Sequence, residues 1–313
     1  MPSLMIAVLA LAADPLLKPE AIELKTDTGT LYATIDLPAG KGPWTAVLIH
    51  AGSGPTDRDG NSGLTTNNAL KFLGEALAAA GYAAVRIDKR GVAASAKAFK
   101  KEEELSLQTY ADDAIAWAEK LRKDERFNRI AFIGHSEGSL IGAMAAPKAK
   151  FAAFVSLCGP GRKLADVLRE QLKQNAPTIA ESSEPILKAL EAGKVYDGEI
   201  PKDLKALFRP SVQPFLISML ARDPVKDMAA VECPLLVVSG STDIQVKEAD
   251  AKLLAECRKG VTAVRIDKMN HVLKEIESTN QFLQSFTYTD GKKALHPKLA
   301  GSIVDFLKAS AKK

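Results

Sequence analysis

Arg129-Ile130-Ala131-Phe132-Ile133-Gly134-His135-Ser136-Glu137-Gly138 decides how the rest of this chain is read. Its first five residues form the short apolar run of a buried strand. Beyond it, Leu140, Ile141, Met144 and Ala145 recur at helical spacing. A Gly-x-Ser-x-Gly between a strand and a helix predicts a sharp elbow, with Gly134 and Gly138 where the turn leaves no room for side chains. Ser136 is then exposed at the top of the sheet, and the Glu137 amide beside it is placed to receive an oxyanion. The competing reading is a Gly-Ser turn that caps a helix.

A serine hydroxyl is a weak nucleophile near neutral pH, so it needs a base, and the base an orienting acid. At such an elbow the expected chain order is Ser, then Asp or Glu, then His. Of the four histidines, His50 and His135 precede Ser136, and His296 stands before Pro297 like a cap on the last helix. His271 follows the strand-like Thr262–Ile266 by a short loop and is the expected base. Asp243, just past the strand-like Pro234–Val238, is the expected acid, with an N-cap as its other reading. Asp223, Asp227 and Asp250 are worse placed. A second oxyanion donor belongs on the loop after Thr45–Ile49, which reads His50-Ala51-Gly52-Ser53-Gly54-Pro55. Gly52 and Ser53 are both candidates, because small residues let backbone amides approach a carbonyl closely. The loop lacks the spacing of either phosphate-binding glycine motif.

Several blocks resemble bacterial carboxylesterases of the α/β-hydrolase superfamily. They are His50 to Asn61 with its Gly-Ser-Gly-Pro-Thr-Asp-Arg-Asp core, Asp88-Lys89-Arg90-Gly91, the elbow, Gly240 to Asp243, and Asn270 to Lys274. The resemblance implies hydrolysis of carboxylic esters through an acyl-enzyme, with a small-molecule ester as substrate and no cofactor. Ala51 departs from it, since related loops often carry a second glycine there. A thioesterase or peptidase would use the same three side chains, and a binding protein could keep the fold without turnover.

The wider chain fits an α/β fold, a mostly parallel central sheet flanked by helices, with a helical lid insertion. Strand-like runs near 21–26, 31–37, 45–50, 82–87, 129–134 and 151–157 alternate with helical faces such as Ala69, Leu70, Leu73, Ala76, Leu77 and Ala80. Alternation stops between residues 161 and 230, where apolar helical patterns are punctuated by prolines. The expected organisation is 14–160 with 231–313 as the hydrolase core and 161–230 as a cap. Apolar faces through Phe215 and Met219 are expected to line an enclosed acyl pocket that favours short chains, with no activation at an oil–water interface.

Composition excludes several other classes. At 313 residues and 46% apolar content the chain can bury a full core, and its net charge of +4 is small and scattered, so nucleic-acid binding is not expected. No apolar run reaches the ~18 residues of a membrane span. Asp57-Arg58-Asp59-Gly60-Asn61 alternates oxygen donors like a calcium loop, but its glycine comes too early and no glutamate ends it. An ion-paired loop is the better expectation. Cys158, Cys233 and Cys257 have no metal-ligand spacing and read as buried free thiols, so no metal is expected. Leu4–Ala12 resembles the core and cleavage site of a signal peptide, although no Lys or Arg precedes it. Residues 1–13 are therefore a candidate signal segment and the expected location is periplasmic or secreted, with the cytoplasm as the alternative. A homo-oligomer is compatible with the sequence but not specified by it.

Overall fold

The computed structural model describes residues 18–175 and 177–312, so the candidate signal segment lies outside the described residues. In chain order the strands are β1 Glu20–Thr26, β2 Gly29–Asp36, β3 Trp44–His50, β4 Ala83–Ile87, β5 Phe127–His135, β6 Ala153–Leu157, β7 Leu235–Gly240 and β8 Thr262–Ile266. They form one sheet in the order β1-β2-β4-β3-β5-β6-β7-β8. β1 and β2 pair antiparallel, as do β2 and β4; every pairing from β4 through β8 is parallel.

The central strands are apolar on both faces because both faces are covered. In β3, Ala46 and Leu48 point into one core cluster while Val47 and Ile49 point into the other. In β5, Ile130 and Phe132 alternate in the same way with Ala131 and Ile133. The second cluster is closed by α1 Ala69–Ala79 and α11 Leu299–Ser310, the first and last of the eleven α-helices among the described residues. The first is closed by α2 Leu107–Arg122 and α3 Glu137–Ala149. α2 starts at Ser106, whose hydroxyl accepts the Thr109 amide at 3.1 Å, and buries Tyr110, Ala114, Trp117 and Leu121.

Between β6 and β7 run α4 Leu164–Asn175, α5 Pro177–Glu191, the short α6 Lys205–Phe208, α7 Gln213–Leu220 and α8 Pro224–Ala229. Their apolar residues, including Leu187, Leu204, Phe208 and Leu216, join the same cluster as α2 and α3. α9 Glu248–Ala255 follows β7, and α10 Gln281–Thr289 lies between β8 and α11. No helix among the described residues is long and apolar enough to cross a membrane.

Candidate active site

β5 delivers Ser136 into a conformation that strands and helices avoid: φ is 53° and ψ −122°, an uncommon region for a residue with a Cβ. The turn is held by the Ser136 amide donating to the Leu157 carbonyl at 2.9 Å and the Ser139 amide donating back to Ser136 at 2.9 Å. Both flanking glycines are demanded sterically. A Cβ on Gly134 would collide with the Gly138 carbonyl, and one on Gly138 would collide with the carbonyls of His50 and Ala51. α3 begins at once with Glu137, so its first amides have no acceptor within the helix.

Asp243 stands on the loop after β7 and His271 on the loop after β8. Both are buried, and His271 Nδ1 donates to Asp243 Oδ2 at 2.8 Å. The other carboxylate oxygen, Oδ1, accepts the amides of Gln245 at 2.8 Å and Val246 at 2.9 Å, which fixes the carboxylate's plane. The N-cap reading of Asp243 does not apply, because the start of α9 is served by Asp250, which accepts the Lys247 amide at 3.3 Å. Cys158 stands behind this pair, and its thiol, Asp243 and His271 bring ligand-type atoms within 4.8 Å of one another. Burial, and after it the Asp243 charge, push the Cys158 thiol well above its usual range. It is therefore a protonated neighbour of the carboxylate rather than a thiolate ligand, and His271 Nδ1 is already committed to Asp243. Cys233 and Cys257 are only half-buried.

Ser136 and His271 line one cavity of about 180 Å³ with Gly52, Ser53, Thr56, Gly60, Thr65, Asn67, Ala69, Leu70, His135, Gln245, Val272 and Tyr288. The Ser136 hydroxyl has no hydrogen-bond partner among the described residues, His271 included, though both side chains open on the same cavity. His135, in the variable position of the elbow, was set aside by chain order as a base. Its role is positional: the ring packs 4.9 Å from that of His271, and Nε2 donates to the His271 carbonyl at 2.8 Å. Burial, reinforced by His271, pushes its pKa down to about 3, so the imidazole is neutral and the donating tautomer is fixed. Gln245 and Tyr288 were not anticipated; they bond to each other at 2.8 Å across the cavity wall. Gln245 was within reach of inference, two residues beyond Asp243, whereas no motif marks Tyr288.

The loop after β3 is held from below. Lys89 is buried, and its ammonium donates to the Gly52 carbonyl and, at 2.7 Å, to the Gly54 carbonyl. Burial lowers the Lys89 pKa, opposed by the charge of Glu137. Glu137 is itself buried, its Oε1 has no partner among the described residues, and burial raises its carboxyl pKa. The side chain is thus a desolvated group opposite Lys89. Arg58 bonds Asp88 at 2.6 Å and Arg86 pairs with Asp59, while Asp57 Oδ1 accepts the amides of Asp59 and Asn61 at 2.9 and 2.8 Å. These acids are engaged by arginines and backbone, as an ion-paired loop requires, and are not free for calcium.

Phe215 and Met219 are not part of the cavity, which corrects the expectation that they form its acyl wall. α7 turns its apolar side down onto α2: Phe215 meets Tyr110 edge-on with ring centres 5.5 Å apart, and Met219 is buried in the core. The apolar surface that had to be buried finds α2 before it finds the cleft. Among the described residues, none that lines the cavity lies between 161 and 230.

A mostly parallel sheet with Ser136, Asp243 and His271 beyond the carboxyl ends of β5, β7 and β8 defines an α/β hydrolase. Within that class, the model of the serine aminopeptidase S33 family matches residues 65–277, and the chain belongs to that family. It is 29% identical over 263 residues to Esterase EstD of Thermotoga maritima, a match covering 82% of this chain and 61% of that one. The chain thus spans less than two thirds of the length of this curated relative. Est1E from Butyrivibrio proteoclasticus, solved with ferulic acid bound, aligns with a TM-score of 0.63 at 17% identity, covering 93% of this chain and 100% of that one. The Pyrococcus furiosus esterase PF2001 aligns with a TM-score of 0.59 at 16% identity, covering 93% and 91%. At such identities the likeness is one of fold.

Proposed function

We propose that this chain is a serine hydrolase acting on small, uncharged carboxylic esters, with Ser136 as nucleophile, His271 as base and Asp243 as its orienting acid. Ser136 Oγ attacks the ester carbonyl carbon as His271 Nε2 takes its proton. Collapse of the tetrahedral adduct expels the alcohol, which leaves with that proton. Water then attacks the acyl-enzyme by the same route and releases the acid. The observation that carries this reading is the 2.8 Å His271–Asp243 bond meeting a strained Ser136 in one cavity.

The oxyanion donors follow from peptide geometry. The Glu137 amide is one. For the other, Lys89 draws the Gly52 carbonyl toward itself, and in a planar trans peptide the Ser53 N–H then points the opposite way. That favours Ser53 over Gly52. Substrate character follows from the lining. Among the described residues no carboxylate, lysine or arginine lines the cavity, which supports a substrate without the charged terminus that an aminopeptidase must recognise. The volume of about 180 Å³ is below the ~300–1,000 Å³ typical of sites for drug-sized ligands, which supports a short acyl group. EstD is described as an esterase, in agreement with this reading.

Rates on nitrophenyl esters from acetate to palmitate, beside the matching thioesters and amino-acyl anilides, test it. The expected result is a kcat/KM maximum at short acyl esters, with anilides near background. Faster turnover of anilides, or rates still climbing beyond ten acyl carbons, would overturn it.

A further inference from the structure

Helix α10 is mounted inside out. Its polar side faces the protein: Gln284 and Thr287 are buried, both bonded to Asn270, and Gln284 also donates to the Thr242 carbonyl at 2.6 Å. These contacts clamp the residues just before His271 and Asp243, and they explain why a polar face is turned inward. One flank brings Tyr288 to the cavity. By helical spacing the opposite side carries Phe282 and Phe286, which are 70% and 56% exposed, while Leu283, 47% exposed, stands on the flank away from Tyr288. Phe282 and Phe286 meet edge-on at 5.1 Å, so the patch is continuous.

The other wall of the cavity carries a matching feature. Leu64 is 91% exposed and adjoins Thr65, which lines the cavity. The same loop is joined to the end of α10 by Asn68 donating to the Gly291 carbonyl at 3.0 Å. Among the described residues, four of the six exposed large apolar side chains therefore stand on the two segments that wall the cavity. α10 itself carries no charged residue.

We propose that α10, with Leu64, docks the protein on an uncharged lipid–water surface and presents the cavity mouth to it. Two observations select this occupant over a second copy of the chain. The three α10 side chains expose on the order of 350 Å² in all, taking roughly 200 Å² for a whole aromatic side chain. With Leu64 added, two copies face to face would bury on the order of 1,000 Å² in all, below the ~1,200 Å² at which specific interfaces begin. The absence of charge on the helix also matches a neutral surface, and exposed Phe and Leu on one side of a short helix are what seats in the headgroup–acyl boundary. An enclosed acyl pocket under a lid implied no activation at an oil–water interface. That expectation rested on the 161–230 helices, and α10 lies outside them.

Flotation with vesicles of dioleoylphosphatidylcholine tests the proposal without using turnover, so its outcome is separate from that of the ester reading. The protein should float with the vesicles, and the double variant Phe282→Ser/Phe286→Ser should bind at least tenfold more weakly. Its rate on dissolved nitrophenyl acetate should be unchanged, which also shows that it is folded. Leu64→Ser, on the opposite rim, should weaken binding by a smaller factor. The proposal is overturned if the wild type fails to float at millimolar lipid, or if the double variant floats equally well. It is also overturned if sedimentation shows a wild-type dimer that the double variant dissolves.

Discussion

Replacing Asp243 by asparagine separates orientation from bulk, and the structure dictates which way the new amide must face. Oδ1 of Asp243 accepts two backbone amides, at 2.8 and 2.9 Å, and Oδ2 accepts His271 Nδ1 at 2.8 Å. An asparagine that turned its NH₂ toward the two backbone donors would set three N–H groups against one another. Its carbonyl oxygen therefore keeps the Oδ1 position, and its NH₂ meets His271 Nδ1. The imidazole must then accept at Nδ1 and carry its proton on Nε2, the wrong tautomer for taking a proton from Ser136. Such a tautomer error costs about 10⁴ in kcat, which is about 5.4 kcal/mol at the transition state. The backbone bonds survive with less charge assistance, so stability should fall by only about 1–2 kcal/mol. Steady-state rates on nitrophenyl butyrate and urea denaturation read the two effects separately. A fall in kcat of less than tenfold with stability intact would refute the reasoning and require another group to orient His271.

Other consequences follow from particular contacts. Lys89→Met removes the buried ammonium that holds the Gly52 and Gly54 carbonyls, and kcat should drop about 10–100-fold with KM within about threefold, below the cost of deleting an oxyanion donor outright; an unchanged kcat would free the loop from Lys89. Met219→Ala should cost about 2–5 kcal/mol in a urea titration yet leave the acyl chain-length profile unaltered, because the side chain is buried against the core and not in the cavity. His50 is held down to about 3 by burial and then by Lys89, from an ordinary 6.5. Between these values the unfolded chain binds a proton that the folded one does not, so its contribution is complete above pH 6.5 and is lost as pH falls. From pH 6.5 to 4.5 the wild type should lose about 2–3 kcal/mol more stability than His50→Gln, and parallel pH profiles would contradict this.

The positions of Ser136, Asp243 and His271 in the fold are more legible in this sequence than the shape of the cavity. Ser136, Asp243 and His271 could be placed because a tight turn tolerates only glycine at its flanks, and because strands buried on both faces leave unbroken apolar runs whose ends mark the sheet's carboxyl edge. Ion pairing of the Asp57–Asn61 loop was legible for a similar reason, since its acids alternate with an arginine and basic residues close β4. The cavity wall was not. Phe215 and Met219 sit on an apolar helical face, and that pattern says only that something will cover them; α2 does so. Tyr288 reaches the cavity from a helix whose polar side is inward, the reverse of the pattern that assigns helix faces. Lys89 stands in the Asp88-Lys89-Arg90-Gly91 block, but only the fold reveals that it is buried beneath the loop after β3.

The central claim is that Ser136 is the nucleophile, and covalent capture tests it most directly. Incubation with a fluorophosphonate followed by intact-mass analysis and peptide mapping should give one adduct per chain, carried by the peptide containing Gly134 to Gly138. Labelling should disappear in Ser136→Ala and slow steeply in His271→Ala. An adduct on any other residue, or undiminished labelling of Ser136→Ala, would contradict the account.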